Sequence, residues 1–250
     1  MYLAATAVFA VATAFTLRSV ASMSGGMLMP GNWTMSMMWM RMPEQTWLEA
    51  AIAFTSMWLA MMIVMMLPSA FPTILLYRRA LAFRDEPRLA LHTTLLGVGY
   101  FLVWLAFGVM AYAVGVGVAA LAMASESASR AVPLACGAAL VIAGLYQLTP
   151  WKSACLRHCR NPLAIVAEHL GTGRPGALAL GLHHGALCAA CCWGLMVIQL
   201  TLGIMNLGAM VLVAVVIAAE KLWFRGEAVA RATGVAAIAG GVIVVASSLA

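Results

Sequence analysis

Charge is scarce in this chain. Asp, Glu, Lys and Arg make up only 9% of its 250 residues, against roughly 25% in a soluble domain. A surface so poor in charge excludes a solvated globular protein. No stretch between the apolar runs is long enough for a separate soluble domain, and no ATP-binding motif occurs. The net charge of +6 requires no nucleic-acid partner, because its distribution follows membrane topology. What is abundant is hydrophobic, at 64% of residues. Apolar runs of about 20 residues recur, each enough to cross a hydrocarbon core of roughly 30 Å as a helix.

These runs predict an all-α, polytopic helical membrane protein, since lipid admits only backbone that satisfies its own hydrogen bonds. Seven spans are expected, at about 2–18, 47–68, 91–116, 131–149, 177–201, 205–223 and 232–249, judged by length against the bilayer. Residues 1–250 then form a single transmembrane domain. Arg78, Arg79, Arg84 and Arg88 fall in the second loop, and Lys152, Arg157, Arg160 and Arg174 in the fourth. Lys221, Arg225 and Arg231 flank the sixth span, while Arg18, Arg41 and Arg130 fall on the other side. The Lys/Arg excess puts the even loops in the cytoplasm, the N-terminus inside and the C-terminus outside. Residues 19–46 become an outside loop and 150–176 a cytoplasmic one. The first span lacks a preceding Lys or Arg, although Val20-Ala21-Ser22 resembles a cleavage site, and is read as an uncleaved anchor. No cysteine falls in an outside loop. That excludes a disulfide framework and leaves the thiols facing membrane interior or reducing cytosol.

Against this plain background stand nineteen Met, six Cys and five His. Thioether, thiolate and imidazole together select soft metals, above all Cu(I). Eight methionines crowd between Met23 and Met42. Gly25, Gly26, Pro30 and Gly31 break helix there, and the second half is suited to a short interfacial helix with Trp33, Trp39 and Trp47 in the aromatic belt. These methionines are either flexible filler against lipid or a copper-collecting surface. In the second span, Met57, Met61 and Met65 share one helix face, and Met62 and Met66 widen it. The stripe suits soft packing or the handing-on of Cu(I). Pro68 and Pro72 predict kinked or unwound backbone at the end of that span. Gly97, Gly99, Gly108, Gly115 and Gly117 predict close helix packing in and after the third.

Thr149 and Pro150 predict the N-cap and first position of a short cytoplasmic helix that stops before Pro162. It carries Cys155, His158 and Cys159 at i, i+3 and i+4, on one face. That is a soft-metal group, or else small buried cysteines beside a solvated histidine. In the fifth span, His184, Cys188 and Cys191 fall within about 60° of arc and Cys192 about 40° further round, with the thiols expected near mid-bilayer. Ionisable groups inside a membrane are functional by default. Glu220 needs a partner, with Lys221, Lys152, a protonated histidine or a metal as options, and Lys221 is expected to snorkel to the headgroups.

The chain resembles the bacterial family called domain of unknown function 2182, described as predicted metal-binding integral membrane proteins. The resemblance rests on Trp58-Leu-Ala-Met61-Met62 with Met66, Pro68 and Pro72, and on Tyr146 to Pro150 followed by Cys155, His158, Cys159 and Arg160. It continues through His184-Gly185, Cys188, Cys191-Cys192-Trp193, Gly203 with Asn206, and Glu220-Lys221. It spans about residues 20–225. Ala190 stands where Gly is expected, and His183 doubles the histidine. The order of ligands is also similar in logic to eukaryotic copper channels of the Ctr type, on a different number of spans.

The expected function is Cu(I) acquisition or delivery across or within a bacterial inner membrane, non-enzymatic, with another soft metal as an alternative cargo. The candidate ligands are His184, Cys188, Cys191, Cys192, Cys155, His158, Cys159, Met61, Met62, Met65 and Met66. Expected partners are the bilayer, the metal ion, and other membrane subunits or a copper protein. The second reading is an accessory or assembly subunit of a copper-dependent oxidase or monooxygenase. The third is a membrane thiol–disulfide oxidoreductase using Cys188, Cys191 and Cys192, which needs an accessible thiolate. Haem ligation by His92, His183 or His184 is a weaker alternative.

Overall fold

The apolar runs fold as helices. The computed structural model describes residues 2–22, 25–168 and 173–249, and Met23 lies outside them. The described residues form nine α-helices. These are α1 (Tyr2–Ser22), α2 (Trp47–Phe83), α3 (Leu89–Ala124), α4 (Glu126–Leu148), α5 (Pro150–Cys159), α6 (Pro162–Glu168), α7 (Gly173–Leu202), α8 (Leu207–Leu222) and α9 (Gly226–Leu249). Six of them, α1 to α4, α7 and α9, are long and apolar enough to cross a membrane. The span expected at 205–223 is α8, whose 16 residues rise only about 24 Å. Its start is set by Asn206, whose side chain accepts from the Ala209 amide at 3.0 Å. Gly203 turns the chain just before, at φ +105°, where a side chain would be strained.

Of the kinked or unwound backbone expected at Pro68 and Pro72, the unwinding does not occur. α2 runs through both prolines. Each removes one backbone hydrogen bond, but Met65, Met66, Ala70 and Ile74 on either side are buried against the same core, and that packing outweighs the loss. At the other end, Thr46 and Glu49 form a reciprocal capping box, with the Thr46 amide donating to the Glu49 carboxylate at 2.7 Å. The short helix expected after Thr149 is present as α5, capped by Thr149, whose hydroxyl accepts from the Lys152 amide at 3.2 Å.

Small residues decide which helices touch. In lipid there is little hydrophobic drive between helices, so close backbone approach and side-chain packing take its place. A Cβ on Gly185 of α7 would stand 2.8 Å from the Tyr100 carbonyl of α3. Gly137 and Gly144 of α4 meet Gly241 and Gly234 of α9 in the same way. Gly108 and Gly115 face the rings of Trp58 and Trp39, whereas a Cβ on Gly97 or Gly117 would meet open space.

The methionine segment is not an interfacial α-helix. It is a hairpin, β1 (Gly26–Met29) against β2 (Trp33–Ser36), followed by a single 3-10 turn at Met37–Trp39. The indole of Trp33 donates to the Ser129 carbonyl at 3.0 Å, and the Ser129 hydroxyl donates to the Pro30 carbonyl at 2.8 Å. These bonds tie the hairpin to the start of α4. Met29 and Met35 are buried against Ala119 and Ala122 of α3.

Candidate metal centre

Five helices converge on one buried sulfur atom. Cys188 and Lys221 lie at equal distances, about 21 Å along their helices, from the turn that joins α7 to α8. They therefore meet. The Lys221 ammonium donates to Cys188 Sγ at 2.7 Å. The Tyr100 hydroxyl of α3 is 2.9 Å from the same sulfur, and the Met66 thioether of α2 is 4.0 Å away. Cys159 of α5 comes close enough for its thiol to interact with those of Cys188 and Cys191. Cys191 Sγ lies 3.4 Å from Cys192 Sγ and turns back to the Cys188 carbonyl at 3.3 Å. Cys159, Cys188, Cys191 and Cys192 are all buried and free.

His184 lies one turn before Cys188. Its ring stands 5.2 Å from that of Tyr100, and it is 2% exposed. Neither ring nitrogen has a hydrogen-bond partner among the described residues. A buried imidazole with both nitrogens unpaired is costly in a low-dielectric interior, and a soft cation is one ligand that would use it.

A second layer holds the cluster. Lys152 of α5 and Glu220 of α8 form an ion pair at 2.6 Å, both side chains fully buried. Lys152 Nζ also donates to the Cys191 carbonyl at 2.5 Å, and Gln147 Nε2 donates to the other Glu220 oxygen at 3.0 Å. Glu220 thus takes Lys152 among the partners open to it. Lys221 does not snorkel outward as expected. α8 is too short to carry it past the level of Cys188, and the sulfur offers it an acceptor.

The expected ligands are brought together only in part. Met61, Met62, Met65 and Met66 are all buried, and Met66 reaches Cys188. The α5 group divides: Cys159 joins the α7 cysteines, while His158 turns its ring to that of His183 at 6.4 Å. Cys155 is half-buried. Among the described residues, no three His, Cys, Asp or Glu side chains stand together as a metal-holding group. Cys191 and Cys192 form one close pair, and the Met66 thioether stands beside Cys188. Tyr100 was not foreseen, since the third span offered only its glycines as a signal. The contact of Lys221 with a cysteine was not foreseen either, although Glu220-Lys221 was visible as a charged pair in an apolar run.

The fold defines a class: helical proteins with membrane-length helices packed around buried Cys, Met and His side chains. The sequence profile of the PpoB2 family, described as a copper chaperone family, matches residues 55–244, and the chain belongs to that family. The matched segment contains α3 to α8 whole and all the residues of the cluster. No curated protein and no solved structure matches the chain.

Proposed function

We propose that this protein is a membrane-embedded Cu(I) chaperone, and that its holding site is built on Cys188. The observation that carries this is the meeting of Cys188 with the Met66 thioether at 4.0 Å, next to a buried His184 with no hydrogen-bond partner among the described residues. Thiolate, thioether and imidazole are soft or borderline donors, and copper(I) prefers them over oxygen. When bound, copper is cargo. The protein supplies the donors, keeps water out and holds the charge.

A route to that site follows from the methionines. Met37, Met38, Met40 and Met42 line an outer cavity of about 160 Å³, with Ala50 and Ala53 of α2 as its inner wall. Ala53, Met57, Met61 and Met65 succeed one another a turn apart along α2. Met38, Met57, Met61, Met65, Met66 and Cys188 belong to one continuous core. Copper taken up by the neutral thioethers of this cavity would pass inward to thiolates that bind it more strongly. By helix rise, Met66 lies about 28 Å along α2 from Trp47, nearly the full thickness of a hydrocarbon core. With Trp47 at the outer interface, the cysteines belong near the inner edge and not at mid-bilayer. The cytoplasmic side is then the side of delivery, to a partner copper protein or membrane subunit in a bacterial inner membrane. Burial of all four clustered sulfurs argues against a thiol–disulfide oxidoreductase, which needs an accessible thiolate.

Metal analysis of the full chain, purified in detergent without chelator and then exposed to Cu(I) under reducing conditions, tests the reading. Retained stoichiometric copper is the expected result. A chain that neither retains nor takes up copper would leave the accessory-subunit reading in its place.

A further inference from the structure

The cluster contains a cation of its own. Lys152 is neutralised by Glu220 at 2.6 Å. Lys221 touches no carboxylate among the described residues, and its ammonium donates to Cys188 Sγ at 2.7 Å. It is 8% exposed. A buried charge without a counter-charge is strongly disfavoured. The chain therefore carries, beside its sulfur donors, one positive charge that the loaded site must balance.

We propose that Lys221 is the fixed counter-cation of a two-thiolate site on Cys188, and that it makes the site selective for monovalent soft cations over divalent ones. The proposal rests on the copper reading above and deepens it by naming the charge of the cargo. A metal-bound thiol is a thiolate. Cys188 with Cys191 or Cys159 then contributes two negative charges. A monovalent ion and Lys221 contribute two positive ones, and the centre is neutral. A neutral donor such as the Met66 thioether leaves the count unchanged. A divalent ion in the same two-thiolate site leaves one uncompensated positive charge in a buried, low-dielectric place. Neutrality with a divalent ion needs a third thiolate. Among the described residues no three Cys, His, Asp or Glu side chains stand together as a metal-holding group. Pairs suit Cu(I), which accepts two-coordination, and do not suit the four-coordination that Zn(II) prefers.

Lys221 acts through Cys188 and is a positioning residue. Its test reads selectivity as well as affinity. Wild type, Lys221→Met and Lys221→Arg are prepared as full chains in detergent. Each is titrated with Cu(I) against a chromophoric Cu(I) chelator, and separately with Cd(II), followed by thiolate-to-metal absorbance. Wild type is expected to bind Cu(I) and to exclude Cd(II). Lys221→Met should weaken Cu(I) by about 10–100-fold, the range for residues that support a metal ligand, and admit Cd(II). Lys221→Arg, which keeps the charge, should restore the wild-type order. Cu(I) binding in wild type with unchanged Cu(I) and Cd(II) affinities in Lys221→Met overturns the proposal and leaves the copper reading standing. If Lys221→Met does not fold, wild type alone decides: Cd(II) bound as tightly as Cu(I) overturns the proposal. Wild type that binds no Cu(I) overturns both.

Discussion

The methionine segment around the hairpin and the buried cysteine cluster are both rich in sulfur, and they are built differently. The segment is tied down by backbone and indole hydrogen bonds, and its thioethers are divided. Met29, Met35 and Met38 are buried, while Met27 and Met42 are exposed at 37% and 41%. None of these thioethers carries charge. The cluster is enclosed on all sides, and its sulfurs lie among two ammonium groups, a carboxylate, a phenol and an imidazole. A neutral, half-open set of thioethers exchanges a soft ion quickly. On the proposed reading, a closed set of ionisable thiols with its own counter-charges would hold one tightly. Met35 packs against Ala119 and Ala122, whereas Met37, Met38, Met40 and Met42 line the cavity.

The comparison breaks most sharply at the thiols. Cys188→Ser with Cys191→Ser should reduce copper affinity by more than about 100-fold, beyond the range for changes outside the ligand set, while circular dichroism stays that of the wild type. Stoichiometric copper in the double variant, measured after gel filtration, would contradict the assignment of the holding site. Next in size is the buried ion pair. Glu220→Gln leaves Lys152 buried without its counter-charge, and should destabilise the fold by about 3–5 kcal/mol. Replacing both partners, with Lys152→Met and Glu220→Leu together, should recover much of the loss. Thermal unfolding in detergent measures both, and equal stability of the single variant and wild type would refute the coupling.

Smaller effects sharpen the comparison. Met66→Leu conserves volume, so stability should fall by less than about 1.5 kcal/mol. Copper affinity should fall several-fold in the same variant if the thioether is a supporting ligand, and chelator competition reads it. An unchanged affinity would make Met66 a packing residue alone. The smallest equilibrium effect belongs to the outer cavity. Met37→Leu, Met40→Leu and Met42→Leu combined should slow copper loading in stopped-flow measurements without lowering final occupancy. Loss of final occupancy would move the holding site outward, and an unchanged loading rate would remove the cavity from the route.

Much of this was legible in the chain. The helices follow from apolar length. The shared face of His184, Cys188 and Cys191 follows from a period of 3.6, and all three are buried together. Thr149 and Pro150 announced α5 by local cap chemistry. The uninterrupted passage of α2 through Pro68 and Pro72 was not legible, because the loss at each proline is local while the packing that outweighs it comes from other helices. The hairpin at Gly26–Ser36 was hidden by a composition that resembles filler.

Composition and periodicity alone settle that this protein is built of membrane-length helices carrying soft ligands, since the energy of exposing backbone or charge to lipid depends on residue type and spacing. Those ligands also mark it as suited to a soft metal, a kinship the copper chaperone family bears out. Which ligands meet was decided in three dimensions. Cys159 leaves Cys155 and His158 to join α7, because α5 packs along that helix. Lys221 turns inward because α8 stops level with Cys188. Glu220 takes Lys152, from a helix 68 residues away in sequence. Each of these is a contact between distant segments, set by how helices of given length are joined and by how closely glycine faces allow them to approach, and that arrangement is not carried by any single stretch of the chain.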